Sequence, residues 1–196
     1  MAIVVGKFTI PATGTVVSGY LKMKSAPLGP ADVFDIGAFY YEDTATAFAT
    51  PVNIPAGGAW TVLTNDALGV NYKRLPDSVT DVYDGVSDQF DFSELSIGDC
   101  LNIRLDCEVT TTVADQEFSI KLEMAQGGVQ HDVFFAGQQY VKSAGTVNVC
   151  VSNSIYISNA NDRDLPSQFL CSSASAATVK INGFFATVMK RGFVIP

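Results

Sequence analysis

The sequence predicts an all-β fold, an antiparallel jelly-roll sandwich with an N-terminal extended arm or small β subdomain. Three observations carry this. Short runs of alternating apolar and polar residues recur along the chain, bounded by Gly, Pro, Asn and Asp, as in strands with one buried face. No heptads or long 3.6-residue stripes appear, so a βαβ arrangement has no helices to build on. The first 30 residues are different in texture, small, polar and proline-punctuated.

Composition narrows the function classes. Of 196 residues, 47% are hydrophobic and only 16% charged, against a usual charged share of about 25%. That excludes a disordered chain or a long coiled coil. Lys plus Arg is 12 and Asp plus Glu is 20, a net charge of −8, which argues against a phosphate-binding surface. Neither nucleic acid nor membrane is expected as a partner, because no stretch approaches the roughly 20 apolar residues of a span. The run Ile3-Val4-Val5 is too short for a signal-peptide core, so folding in the cytoplasm of the producing cell is expected. Cys100, Cys107, Cys150 and Cys171 contain no C-x-x-C pair, so zinc and redox sites lack their usual spacing and free thiols are expected.

The elements follow in order. Lys7-Phe8-Thr9-Ile10 reads as a strand that ends at Pro11, and Ser25-Ala26-Pro27-Leu28-Gly29-Pro30 as a turn-rich linker. Residues 1–30 are therefore assigned to an arm and 31–196 to the body, with a second possible break from Thr50-Pro51 to Gly58. Phe39-Tyr40-Tyr41 places three rings on successive positions. Neighbours on a strand face opposite ways, so both faces there are covered, either by core on two sides or by core and a neighbouring subunit. Phe184-Phe185 has the same property. The stretch from Phe90 to Leu95 could form a helical turn but reads as the approach to a Gly98-Asp99 turn.

The clearest strand is Leu101 to Val109, with Leu101, Ile103, Leu105, Cys107 and Val109 on one face. Phe118, Ile120, Leu122 and Met124 mark the next, and the loop-like Thr110 to Gln116 between them suggests a hairpin. Gly127-Gly128 reads as a hairpin turn, and Val129 to Tyr140 as a strand and loop whose Phe134 and Phe135 join the core. Val147, Val149 and Val151 continue towards Ile155 and Ile157. A last strand runs from Ala177 to Ile181, turns or bulges at Asn182-Gly183, and continues through Phe184 to Met189.

Catalytic signatures are missing: no G-x-x-x-x-G-K-[ST], G-x-G-x-x-G, G-x-S-x-G or H-E-x-x-H occurs. His131 is the only histidine, and a nucleophile-base pair would have to use it. It reads as a surface or interface residue. Acids cluster at Asp77, Asp81, Asp84 and Asp88, and at Asp162 and Asp164 around Arg163. Neither cluster has EF-hand spacing, and Asx turn chemistry accounts for them. No catalytic, cofactor or metal residue is assigned.

Several stretches carry a family likeness: Ile54-Pro55-Ala56-Gly57-Gly58-Ala59-Trp60, Phe90-Asp91-Phe92, Ile97-Gly98-Asp99, Lys142-Ser143-Ala144-Gly145, Asn159-Ala160-Asn161-Asp162-Arg163-Asp164, and the segment from Ala174 to Gly183. On these, residues from about 53 to 189 resemble small tailed-phage and prophage virion structural proteins, similar in style to TNF/C1q-like jelly rolls that commonly form trimers. The resemblance implies a non-enzymatic place on the virion surface, made and assembled in the host bacterial cytoplasm. The first expectation is a homotrimeric capsid decoration or cement protein binding between subunits of the major capsid protein, or another virion protein. Phe8, Ile10, Tyr20, Phe39, Tyr40, Tyr41, Phe184 and Phe185 are then the candidate contacts. The alternative is a tail-fibre, collar or head-fibre module binding host-surface glycan, with Trp60, Tyr83, Asp162 and Asp164 as candidate contacts.

Overall fold

The computed structural model describes residues 33–44, 50–69 and 71–192. In chain order the strands are β1 (Val33–Glu42), β2 (Val52–Ile54), β3 (Thr61–Val62), β4 (Asn71–Arg74), β5 (Tyr83–Asp84) and β6 (Gln89–Phe90). They continue as β7 (Cys100–Thr111), β8 (Gln116–Met124), β9 (His131–Val141) and β10 (Gly145–Tyr156). After a one-turn helix, α1 (Ala160–Asp164), come β11 (Gln168–Ser173) and β12 (Ala177–Gly192). The expected arm, with Phe8, Ile10 and Tyr20, lies outside the described residues.

The body is an antiparallel jelly-roll sandwich. Its larger sheet runs β10-β7-β12-β1-β4, with β2 beside the first part of β12. The facing sheet runs β3-β11-β8-β9, and β5 and β6 form a small ribbon. Alternation explains the layers. On β7 the five residues Leu101, Ile103, Leu105, Cys107 and Val109 are all buried. On β8, Phe118, Ile120, Leu122 and Met124 are buried opposite them, so two alternating strands close one core.

The expected β7–β8 hairpin is not formed. β7 pairs with β10 and β12, whereas β8 pairs with β11 and β9. Residues 112–115 carry the chain from one sheet to the other, a gap of about 10 Å that four residues can span. Alternation fixes which face is apolar but not which strand is the neighbour. The Gly127-Gly128 hairpin is formed, joining β8 to β9, with Gly127 at φ +85°.

β12 shows how sequence and register agree. Val179 and Ile181 point inward, and then Phe184, Ala186 and Val188 do. The inward set changes from odd to even numbers because the register shifts between Ile181 and Gly183, a bulge that adds one residue. Glycine is required there. A Cβ on Gly183 would lie 2.8 Å from the Tyr41 carbonyl oxygen and 2.9 Å from the Tyr40 ring.

The remaining expectations divide. The segment from Thr50 to Gly58 is no domain break. β2 pairs with β12, and the N–H groups of Gly57 and Gly58 donate to Ala174 and Ser173. No helix forms from Phe90 to Leu95, where β6 leads into turns. The turn at Gly98 is present at φ +103°, and Asp99 is buried as the acceptor for the N–H groups of Ser96 and Arg191. Phe135 packs against the core, but Phe134 faces outward and is 50% exposed, because it sits on the outer parity of β9 opposite Lys121. Among the described residues, no helix is long and apolar enough to cross a membrane.

Candidate interaction surface

The larger sheet has an unusual outer face. Where one side of a sheet sees water, alternation normally leaves polar residues there. On the half nearest the β7 N-terminus, aromatic and apolar side chains stand among the polar ones. Cross-strand register aligns Tyr72, Tyr40, Phe185, Arg104 and Ser152 in one row. The adjacent outer rows hold Arg74, Ala38, Thr187, Asn102 and Ser154, then Ile36, Met189, Cys100 and Tyr156. Tyr72, Tyr156 and Ile36 are 56%, 57% and 62% exposed.

The charge pattern sets these rows apart. Although the chain carries −8, the only ionised side chains in the three rows are Arg74 and Arg104. Arg104 lies over the Phe185 ring at 5.1 Å and pairs with Asp106 at 2.8 Å in the next row. Tyr40 is half-buried, and burial raises its phenol pKa, with Glu42 and Asp106 adding to the effect. A low-charge aromatic patch on a sheet face is suited to burial against another protein.

The candidate contacts separate by parity. Tyr40 and Phe185 face outward. Phe39, Tyr41 and Phe184 do not, and this corrects their assignment as contacts: all three are buried in the core of their own chain. Phe184 meets Tyr83, Phe90 and Phe169 at ring separations of 5.1, 5.5 and 5.2 Å. The Tyr41 hydroxyl donates to Asp81, which also takes Lys73 and the N–H groups of Val82 and Tyr83. Burial nevertheless holds the Asp81 carboxyl above the usual aspartate range.

The four candidate glycan contacts do not form one site. Tyr83 is buried against Tyr41, Phe90 and Phe184, and its hydroxyl donates to the Asn65 carbonyl at 3.0 Å. Its phenol is pushed far above the ordinary range by burial. Asp162, expected in a solvated loop, is buried within α1. One of its oxygens accepts from the Ser158 N–H and hydroxyl at 3.0 and 2.6 Å and from the Asn159 amide at 3.0 Å. The other has no hydrogen-bond partner and lies 3.7 Å from His131 Nδ1. Asp164 is exposed and held by Arg163 at 2.6 and 2.9 Å, and that hydrogen bond lowers its carboxyl pKa. Asp164 also lines a cleft of about 300 Å³ with Asp84, Asp91, Phe90 and Pro166.

Trp60, 38% exposed, belongs to a different cluster, on the outer face of the smaller sheet. Its ring meets Phe134 edge-on at 6.2 Å and covers the Lys121 ammonium at 4.6 Å. Lys121 is buried and bridges Glu123 at 3.1 Å and Asp132 at 2.9 Å. Burial works to lower its pKa, but the bonds to Asp132 and Glu123 prevail and raise it. Sequence reading missed this cluster; its signal was the lone lysine on the outer parity of β8. Among the described residues, no group of three or more His, Cys, Asp or Glu side chains converges as a metal site. The four cysteines are free thiols.

No family model matches the chain, and no curated protein matches it. Among solved structures it is similar to a protein of the T13 IBDV viral particle, at 10% identity and a TM-score of 0.46 over 94% of this chain. The chain spans 36% of the length of that protein. It is also similar to Eiger TNF from S. frugiperda, at 8% identity and a TM-score of 0.43, covering 83% of this chain and 96% of that one. A third likeness is to a cowpea mosaic virus empty particle, at 13% identity and a TM-score of 0.28, over 89% of this chain and 85% of that one.

Proposed function

We propose that this chain is a virion structural protein, a bacteriophage capsid decoration or cement protein that stabilises the head by binding between capsid subunits. The observation that carries the reading is the outer face of the larger sheet. Tyr40, Tyr72 and Phe185 form an aromatic row on a low-charge patch of an otherwise acidic protein. Keeping such a patch in water has a cost that a binding partner removes, at about 25 cal/mol per Å² of apolar area. Self-association as a homotrimer uses the same kind of surface. Residues 1–30 serve as an arm in this reading, laid on a neighbouring subunit by strand addition through Phe8, Ile10 and Tyr20.

Two variants test it. Tyr40→Glu with Phe185→Lys leaves every core contact in place, so the fold should persist while binding to phage heads is lost. Deleting residues 1–30 should leave a folded body that no longer binds heads. Undiminished head binding by either protein contradicts the corresponding part of the reading.

The second reading, a fibre or collar module binding glycan, is favoured by one feature. Trp60 and Phe134 are exposed side by side, with Glu123 and Asp132 nearby, and aromatic faces with carboxylates suit sugar rings. Glycan-array binding that is lost with Trp60→Ala, and that needs no capsid, supports that reading over the first.

A further inference from the structure

Sheet edges are where unpaired N–H and C=O groups invite another strand, and proteins normally protect them with charge, proline, bulges or brevity. Among the described residues, the edge strands other than β10 are short or irregular, and β2 has three residues. β3 has two residues and β4 has four. β9 is irregular, with register shifts against β8 and Gln138 at φ +34°. β10 is neither short nor irregular, and what lies beside it is β9 of the facing sheet, whose Phe134 carbonyl accepts from the Asn153 side-chain amide at 3.0 Å. β10 pairs with β7 in unbroken register from Gly145↔Thr111 to Tyr156↔Cys100, and among the described residues no strand forms a ladder with its other side. Its sequence, GTVNVCVSNSIY, holds no proline and no charged residue. Val147, Val149 and Val151 point towards the core yet remain only partly buried there.

We propose that β10 pairs with β10 of a second copy, antiparallel about a two-fold axis, so that the two larger sheets become one. Charge selects this occupant. Copies of a chain carrying −8 repel over most of their surface, and β10 offers a long edge where like meets like without that cost. A two-fold contact must be self-complementary, and an uncharged strand is. Parity restricts the register. Directly opposed residues in an antiparallel pair share a face, so the axis passes through a residue and not between two. Centred on Cys150, the pairing sets Val149 against the partner subunit's Val151 on the core side, twice, and closes the valines that are half-open in one copy. On the outer side it sets Asn148 against the partner subunit's Ser152, and Cys150 against the partner subunit's Cys150. The contact needs no other virion protein and lies at the sheet edge where the outer rows end, at Ser152 and Tyr156.

Cys150 makes the pairing measurable. Its thiol is exposed, and opposed Cβ atoms in such a pair lie about 4.5–5.5 Å apart, close to disulfide reach. The full chain is treated with copper phenanthroline at mildly alkaline pH, because a hydrogen bond to Asp106 raises the thiol pKa. Two thiols then give two protons and two electrons to the oxidant and form one S–S bond. A covalent dimer is expected on a non-reducing gel, and Cys150→Ser should abolish it. Asn148→Lys with Ser152→Lys, both at exposed positions, places cations against each other across the axis and should abolish the dimer while Cys150 remains. Asn148→Lys with Ser152→Glu should restore it. Absence of a Cys150-linked dimer, or a yield unaffected by the two lysines, overturns the proposal.

Discussion

Phe184 and Phe185 are adjacent in sequence and opposite in consequence. Phe184 is fully buried in a ring cluster with Tyr83, Phe90 and Phe169, so Phe184→Ala should cost about 3–5 kcal/mol in urea unfolding. Phe185 stands on the outer face under Arg104. Phe185→Ala should therefore change stability far less and weaken partner binding instead. Equal losses of stability would contradict the parity assigned to β12. At α1, Asp162 accepts from both the N–H and the hydroxyl of Ser158. Asp162→Ala leaves those donors without their acceptor and should cost about 1–3 kcal/mol by the same measurement. That role was not visible in sequence, where Asp162 and Asp164 look alike. Burial separates them, and burial depends on how the β10–β11 connection packs, which no local pattern encodes.

At the scale of elements, the strands themselves were legible and their partners were not. The runs in β7, β8, β10 and β12 follow from residue alternation, and even the bulge is written in the switch from Ile181 to Phe184. The β7–β8 hairpin was misread because pairing is settled by which two faces meet, a long-range fact. Gly183 gives an element-scale prediction. Gly183→Val would drive a side chain into the Tyr41 carbonyl, where the β1–β12 ladder cannot give way, and should cost about 1–3 kcal/mol. Glu94 gives a pH-dependent one. It accepts from the Thr80 N–H and hydroxyl and from the Asp81 N–H, which lowers its pKa. The folded state then binds its proton less readily than the unfolded state. Its contribution is present above the ordinary glutamate pKa of about 4.3 and lost as pH falls through the lowered value. Asp81 and Asp88, raised by burial, act in the opposite direction. A melting-temperature profile between pH 6 and pH 3 should thus be flatter in Glu94→Gln than in the parent chain, and an unchanged profile would contradict the assignment.

For the whole molecule, the acidic, low-charge composition acquires a location. Six of the 20 acids lie between Asp77 and Glu94, whereas the half-face bearing Tyr40, Tyr72 and Phe185 has none in its three rows. Aromatic doublets in the sequence announced that some ring would face outward. Deciding which one needed the register. The aromatic face and the uncharged edge are two surfaces of one small sandwich, and the proposed head binding and strand pairing use one each. The direct test of a head-binding role is co-sedimentation of the purified full chain with phage heads that lack it. The account predicts saturable recovery of the chain in the pellet, with heads that survive a higher temperature before rupture. A chain that stays in the supernatant at every concentration, and leaves head rupture unchanged, contradicts it.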